Sequence, residues 1–123
     1  MDRFEPYLEG WRKRWAAERE ADADAGRRAR AVAERLAVVL RDRFAARRVI
    51  LTGSLARGGF GENSDIDLAV EGVRDDQFFR AGAELERAAD GFAVDLVPLE
   101  SAAPEYRTAA EEEGVVLHDG LAR

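Results

Sequence analysis

The 123 residues predict an α/β (α+β) domain: a short mixed β-sheet flanked by helices, led by an N-terminal helical extension. Three observations carry this reading. Apolar residues in the first 46 positions recur every three or four residues, the period of a helix buried on one face. Runs rich in Val, Ile and Leu at about 48–52, 65–70 and 92–97 have strand length and are bounded by Gly, Asp or Pro. Helical patterns separate the later runs, which is the order of a layered sheet-and-helix domain.

In chain order, residues 1–22 read as a first helix. Phe4, Leu8, Trp11 and Trp15 form its apolar stripe, and Pro6 sits in the first turn, where proline is tolerated. The stripe packs on the domain's own core or serves as a partner or dimer surface. Residues 22–26 are a weak break, at which Gly26 ends the helix or the helix runs through. Residues 27–46 form an amphipathic helix with Val32, Leu36, Val39, Leu40 and Phe44 on one face. Arg27, Arg28 and Arg30 at its start read as a solvated cluster or as a contact for an acidic or phosphorylated partner. The domain division is 1–46 for these helices and 47–123 for the core.

A strand at 48–52 leads into a short helix at 54–58, with Ser54 as its N-cap. Gly58, Gly59 and Gly61 then form a flexible loop, expected to lie over the phosphate site at Gly53-Ser54. A second strand covers 65–70, a helix about 75–89, and a third strand 92–97, ended by Pro98. A helix at 103–113 and a small closing strand at 115–117 complete the chain. His118, the sole histidine, reads as a surface residue.

The chain has no cysteine, which excludes a disulfide frame and a thiolate metal site. No apolar run approaches the length of a membrane span and no leader peptide is evident, so a cytoplasmic protein is expected. Charge is uneven: residues 1–48 are net +4 and residues 49–123 net −10. An acidic half carrying the candidate site argues against a polynucleotide as obligatory substrate and for a metal-bound nucleotide.

The chemistry is concentrated in residues 49–70, VILTGSLARGGFGENSDIDLAV. In a strand, side chains alternate, so Asp65 and Asp67 share one face while Ile66 and Leu68 point into a core. Two adjacent carboxylates repel each other unless a cation or protons neutralise them. Oxygen ligands of this kind suit Mg²⁺, which takes one or two carboxylates and completes its shell with water and phosphate. Gly53-Ser54 lets a phosphate approach the backbone at a helix start, and Arg57 adds a cation one turn on. Ser64, beside the first carboxylate, is counted with Gly53, Ser54 and Arg57 as nucleotide-binding. A phosphate cradle facing an acidic metal site is the equipment of phosphoryl or nucleotidyl transfer. Asp95 interrupts the third apolar run, and a charge in a buried strand must be paired or hold a metal.

The order Gly53-Ser54, ten residues, Asp65-Ile66-Asp67 resembles the DNA polymerase β-like nucleotidyltransferase superfamily. The wording GSLARG…SDIDL looks most like its minimal nucleotidyltransferases (MNT), over roughly Val49 to the C-terminus. Gly59 stands where many relatives carry an acidic residue. The resemblance implies Asp95 as a third carboxylate, so that Asp65, Asp67 and Asp95 are both metal ligands and catalytic residues. It also implies one or two Mg²⁺ ions, with Mn²⁺ able to substitute, and a nucleoside triphosphate, ATP, as substrate. A HEPN-domain toxin is the implied partner, and AMP transfer to its tyrosine would be the antitoxin activity. The alternatives are an antitoxin that masks a HEPN partner without turnover and a small-molecule (antibiotic) adenylyltransferase with its cleft shared between protomers of a homo-oligomer.

Overall fold

The structure, a computed structural model, describes residues 5–61 and 63–120. Phe4 of the expected stripe lies outside the described residues. The first element is a single helix, α1 (Glu5–Phe44), 40 residues and so about 60 Å long. Of the two readings of residues 22–26, the second holds: the helix runs through Gly26. Alanine and arginine around it are good helix formers, and Asp24–Arg28 and Arg30–Glu34 pair along the helix at 3.0 and 3.5 Å. The helix ends where Ala45 turns left-handed (φ 55°) and the Ala46 N–H donates to the Leu40 carbonyl at 3.0 Å.

The chain then runs through β1 (Arg48–Thr52), α2 (Gly53–Arg57), β2 (Ile66–Glu71) and a 3₁₀ turn at Asp75–Gln77. It continues through α3 (Phe78–Ala88), β3 (Val94–Pro98), a second 3₁₀ turn (Leu99–Ser101), α4 (Pro104–Glu113) and β4 (Val115–Asp119). The four strands form one mixed sheet in the order β3-β2-β1-β4. β1 is antiparallel to β2 and β4, while β2 and β3 run parallel, joined through α3. His118 lies within β4, half-buried, opposite Val49.

Strand alternation divides the core in two. Val49, Leu51, Ile66, Leu68 and Val70 face the second half of α1 and α3, meeting Ala29, Val32, Leu36, Leu40, Ala81 and Leu85. Ile50 and Ala69 face the other way, onto Leu99, Ala110 and Tyr106. The first layer is thick and dry. The second is thin and covers only part of its face, so the residues beyond its edge border an open space. That space is the candidate site.

Burial on α1 is just as uneven. Ala25, Ala29, Val32, Leu36 and Leu40 are buried, whereas residues 11–24 are exposed throughout. Leu8, Trp11 and Trp15 are 50%, 47% and 54% exposed, so this stripe does not pack on the core. No helix among the described residues is long and apolar enough to cross a membrane.

Candidate active site

Asp67 is the second residue of β2. It lies opposite Thr52 in the antiparallel pair and opposite Asp95 in the parallel one. Neighbouring residues in register share a face, so Thr52, Asp67 and Asp95 form a row across three strands. Ile66 and Leu68 occupy the opposite face, fully buried. The row borders a cleft of about 350 Å³, walled by Gly53, Ala56 and Arg57 on one side and by Tyr106, Ala110 and Glu113 of α4 on the other. That volume lies within the range of ligand cavities, which starts at about 300 Å³.

Gly53 makes the row possible. Its φ of 70° is a conformation that side chains disfavour, and a Cβ placed on it would overlap Asp67 Oδ2. The carboxylate thus lies against bare backbone at the start of α2. Burial pushes the Asp67 carboxyl above the ordinary carboxylate range, and the negative charges of Asp95 and Asp65 push it further; Arg57 pulls it back. Among the described residues no ion pair forms with Asp67 or Asp95, and the Thr52 hydroxyl meets the Asp67 carbonyl at 3.4 Å and Tyr106 Oη at 3.4 Å.

The expected site residues are gathered in part. Gly53, Arg57, Asp67 and Asp95 line the cleft. Asp65 stands just before β2, exposed, and acts on Asp67 through its charge. Ser54 is not the N-cap: α2 begins at Gly53 with Thr52 in the cap position, and the Ser54 carbonyl accepts the Gly59 N–H at 2.9 Å. The Ser64 hydroxyl accepts the Gly61 N–H at 3.1 Å, closing the glycine loop on itself. That loop does not cover the cleft. Phe60 anchors it in the core against Phe92, so Gly58 and Gly59 line a different cavity beyond α2. Nor is Asp95 in a buried strand, because β3 is the sheet's edge and Asp95 is exposed. Its charge is tolerated there by solvent, not by a partner.

Tyr106 and Thr52 were not among the expected site residues. Tyr106, Ala110 and Glu113 recur at helical spacing, which signals a shared face of α4. Nothing in the sequence sets that face against the carboxylates.

Among the described residues, no three His, Cys, Asp or Glu side chains converge tightly enough to hold a metal ion by themselves. The donor set nevertheless suits a hard cation. It is all oxygen, it carries uncompensated negative charge, and the bare backbone at Gly53 leaves room beside it. Mg²⁺ bound by one or two carboxylates takes its remaining ligands from water and phosphate.

Comparison with known proteins identifies the family and the fold. A sequence model of the nucleotidyltransferase domain matches residues 33–117. No curated protein sequence matches the chain. Among solved structures, a minimal nucleotidyltransferase is 35% identical, with a TM-score of 0.59 over 70% of this chain and 89% of that one. A toxin–antitoxin complex with AMP-PNP is 27% identical, with a TM-score of 0.61 over 70% and 73% of the two chains. The fold alone is shared with a complex of tri-AMPylated Shewanella oneidensis HEPN toxin and MNT antitoxin, at 24% identity, TM-score 0.58, and 73% and 71% coverage. The register of Asp67 with Asp95, the bare Gly53 turn beside them and the match across 33–117 agree, and the chain belongs to the nucleotidyltransferase-domain family.

Proposed function

We propose that the protein moves AMP from ATP onto a hydroxyl of a protein acceptor, a tyrosine of a HEPN toxin, and thereby acts as its antitoxin. The observation that carries this reading is the Asp67–Asp95 pair in register against the bare backbone of Gly53. The AMP-PNP complex of a 27% identical toxin–antitoxin relative supports the choice of ATP.

In this reading Asp67 and Asp95, with Asp65 at the rim, would hold one or two Mg²⁺ ions. Such an ion, when bound, neutralises the triphosphate and the departing pyrophosphate. The Gly53 turn offers its backbone to the β- and γ-phosphates, and Arg57 places a guanidinium on the same wall of the cleft. The acceptor oxygen attacks the α-phosphorus as the bond from that phosphorus to the bridging oxygen breaks. Pyrophosphate leaves, and the hydroxyl proton passes to the exposed carboxylate of Asp95. Tyr106 and Ala110 form the far wall and keep the nucleotide against β1 and β2.

Calorimetry of ATP with the whole protein tests the reading. Affinity should be at least about tenfold higher with Mg²⁺ than with EDTA, because triphosphate and uncompensated carboxylates repel each other in its absence. Equal affinity in both buffers would remove the site.

A second reading, masking of the toxin by binding without turnover, is favoured by one feature, the projecting helix that exposes Leu8, Trp11 and Trp15. A variant that transfers no nucleotide yet still neutralises its partner would establish it.

A further inference from the structure

We infer that the projecting half of α1 is a docking arm for a protein acceptor, and that it takes an amphipathic helix whose apolar face is edged with carboxylates. The identity of that protein as the acceptor rests on the proposed transfer reaction; the binding does not.

The arm lies outside the matched nucleotidyltransferase domain, which begins at residue 33. Successive helical residues are rotated by about 100°. On that basis Trp11 and Trp15 lie on the same side of α1 as Ala29, Leu36 and Leu40, which are buried against the sheet. The stripe that packs the helix onto its own domain therefore continues past the domain, interrupted only by Glu18 and Asp22. Trp11 and Trp15 touch one another with ring centroids 5.8 Å apart, and neither belongs to the buried core. Two exposed indoles on one stripe are a large apolar surface to leave in water.

The edges of the stripe, not the arm's net charge, separate the occupants: residues 8–24 hold four basic and five acidic residues, with Glu18 and Asp22 on the stripe and Glu9, Lys13, Glu20 and Asp24 behind it. Arg12 and Arg19 flank the stripe on one side and Arg14 on the other, its guanidinium 4.5 Å from the Trp11 ring centroid. Arg12, Lys13, Arg14 and Arg19 form no ion pair among the described residues. Two copies pairing stripe to stripe in parallel and in register would set Arg12 of one chain beside Arg14 of the other, cation against cation. An acidic edge meets the same residues with opposite sign.

The arm leads to the active site. Where it joins the domain, a second cavity of about 600 Å³ has Leu55 and Phe60 as its floor and Arg19, Arg27 and Arg30 on its rim, with Asp22. The short helix α2 is the wall between this cavity and the carboxylate cleft: Leu55 and Gly58 line one, Gly53, Ala56 and Arg57 the other. A chain seated on the arm and in this cavity has only α2 to cross to present a hydroxyl to Asp95.

Trp11 and Trp15 are the only tryptophans, so intrinsic fluorescence of the full chain reports on the arm alone. The probes are two synthetic amphipathic helical peptides with the same leucine face, one flanked by Glu and one by Lys. The Glu-flanked peptide should shift the emission to the blue and bind about tenfold or more tightly at low salt than the Lys-flanked one, with the gap closing as salt is raised. The triple change Arg12→Glu, Arg14→Glu, Arg19→Glu should reverse the preference while Mg²⁺-dependent ATP binding is unchanged. Equal binding of both peptides, or of neither, would overturn the proposal. So would a dimer in sedimentation that Trp11→Ala/Trp15→Ala converts to monomer, since the occupant would then be a second copy. Peptide discrimination without any Mg²⁺-dependent ATP binding would retain the arm and remove the transfer reaction.

Discussion

The two ends of β2 carry carboxylates on the same face, and the protein treats them in opposite ways. Glu71 at one end is held by Arg47 at 3.3 Å and Arg48 at 3.5 Å, and Arg48 in turn reaches Glu111 at 2.8 Å. Asp67, four residues back along the strand, is half-buried between Asp65 and Asp95, and among the described residues Arg57 is the one cation that lowers its pKa. Hydrogen bonding to Glu111 raises the Arg48 pKa, the mark of a settled pair. Burial and like charge raise that of Asp67, the mark of an unsettled one. The same residue chemistry is structural where its countercharge is built in, and available for a ligand where it is left out.

The largest effect expected is on catalysis. Asp67→Asn keeps the shape and removes one charge at the unsettled end. Transfer of labelled nucleotide from ATP should fall roughly a thousandfold or more, since metal-assisted charge stabilisation is worth several kcal/mol in the transition state. Transfer at the wild-type rate would place the reaction elsewhere.

At the settled end the same chemical change should act on stability. Glu71→Gln removes the charge that Arg47 and Arg48 share, from a side chain only 13% exposed. A loss of about 1–2 kcal/mol is expected in urea unfolding, with ATP binding intact. If it costs nothing, the contrast between the two ends is not energetic.

The smallest effect is the sharpest in sign. The Asp67 carboxyl is raised in the folded state, so the folded protein binds that proton more tightly than the unfolded chain does. The ionised carboxylate therefore costs stability as pH rises from its ordinary value of 3.8 through the raised one, and costs nothing below 3.8. Without added cation, Asp67→Asn should melt slightly above wild type at neutral pH and level with it in acid, by less than about 1 kcal/mol given solvent screening. A variant that melts lower at neutral pH would mean that Asp67 has a partner the charge pattern does not show.

Much of this was legible in the chain. Val49, Leu51, Ile66, Leu68 and Val70 announce strands by composition and alternation, and period two alone puts Asp67 opposite its apolar neighbours in the strand. The helices over 78–88 and 104–113 follow from spacing and from Pro104 in the first turn. The course of α1 was left open, since Gly26 reads as a stop or as a residue the helix runs through. At one residue's cost of about 1 kcal/mol a glycine cannot end a helix that Ala25, Ala29 and Val32 hold to a sheet.

What the sequence by itself determined is therefore local: which segments are strands and helices, which residues share a face, and which short elements, Gly53-Ser54 and Asp65-Ile66-Asp67, are the candidates for chemistry. Those properties depend on bond geometry and near neighbours. The tertiary structure alone decided that β3 lies at the edge, so that Asp95 is exposed, and that α4 brings Tyr106 to the cleft. It also turned the glycine loop toward α1, away from the carboxylates, and left Trp11 and Trp15 in solvent. Each of these depends on which surfaces meet across the sheet. Such meetings are set by the joint packing of residues far apart in the chain, and no local pattern encodes them.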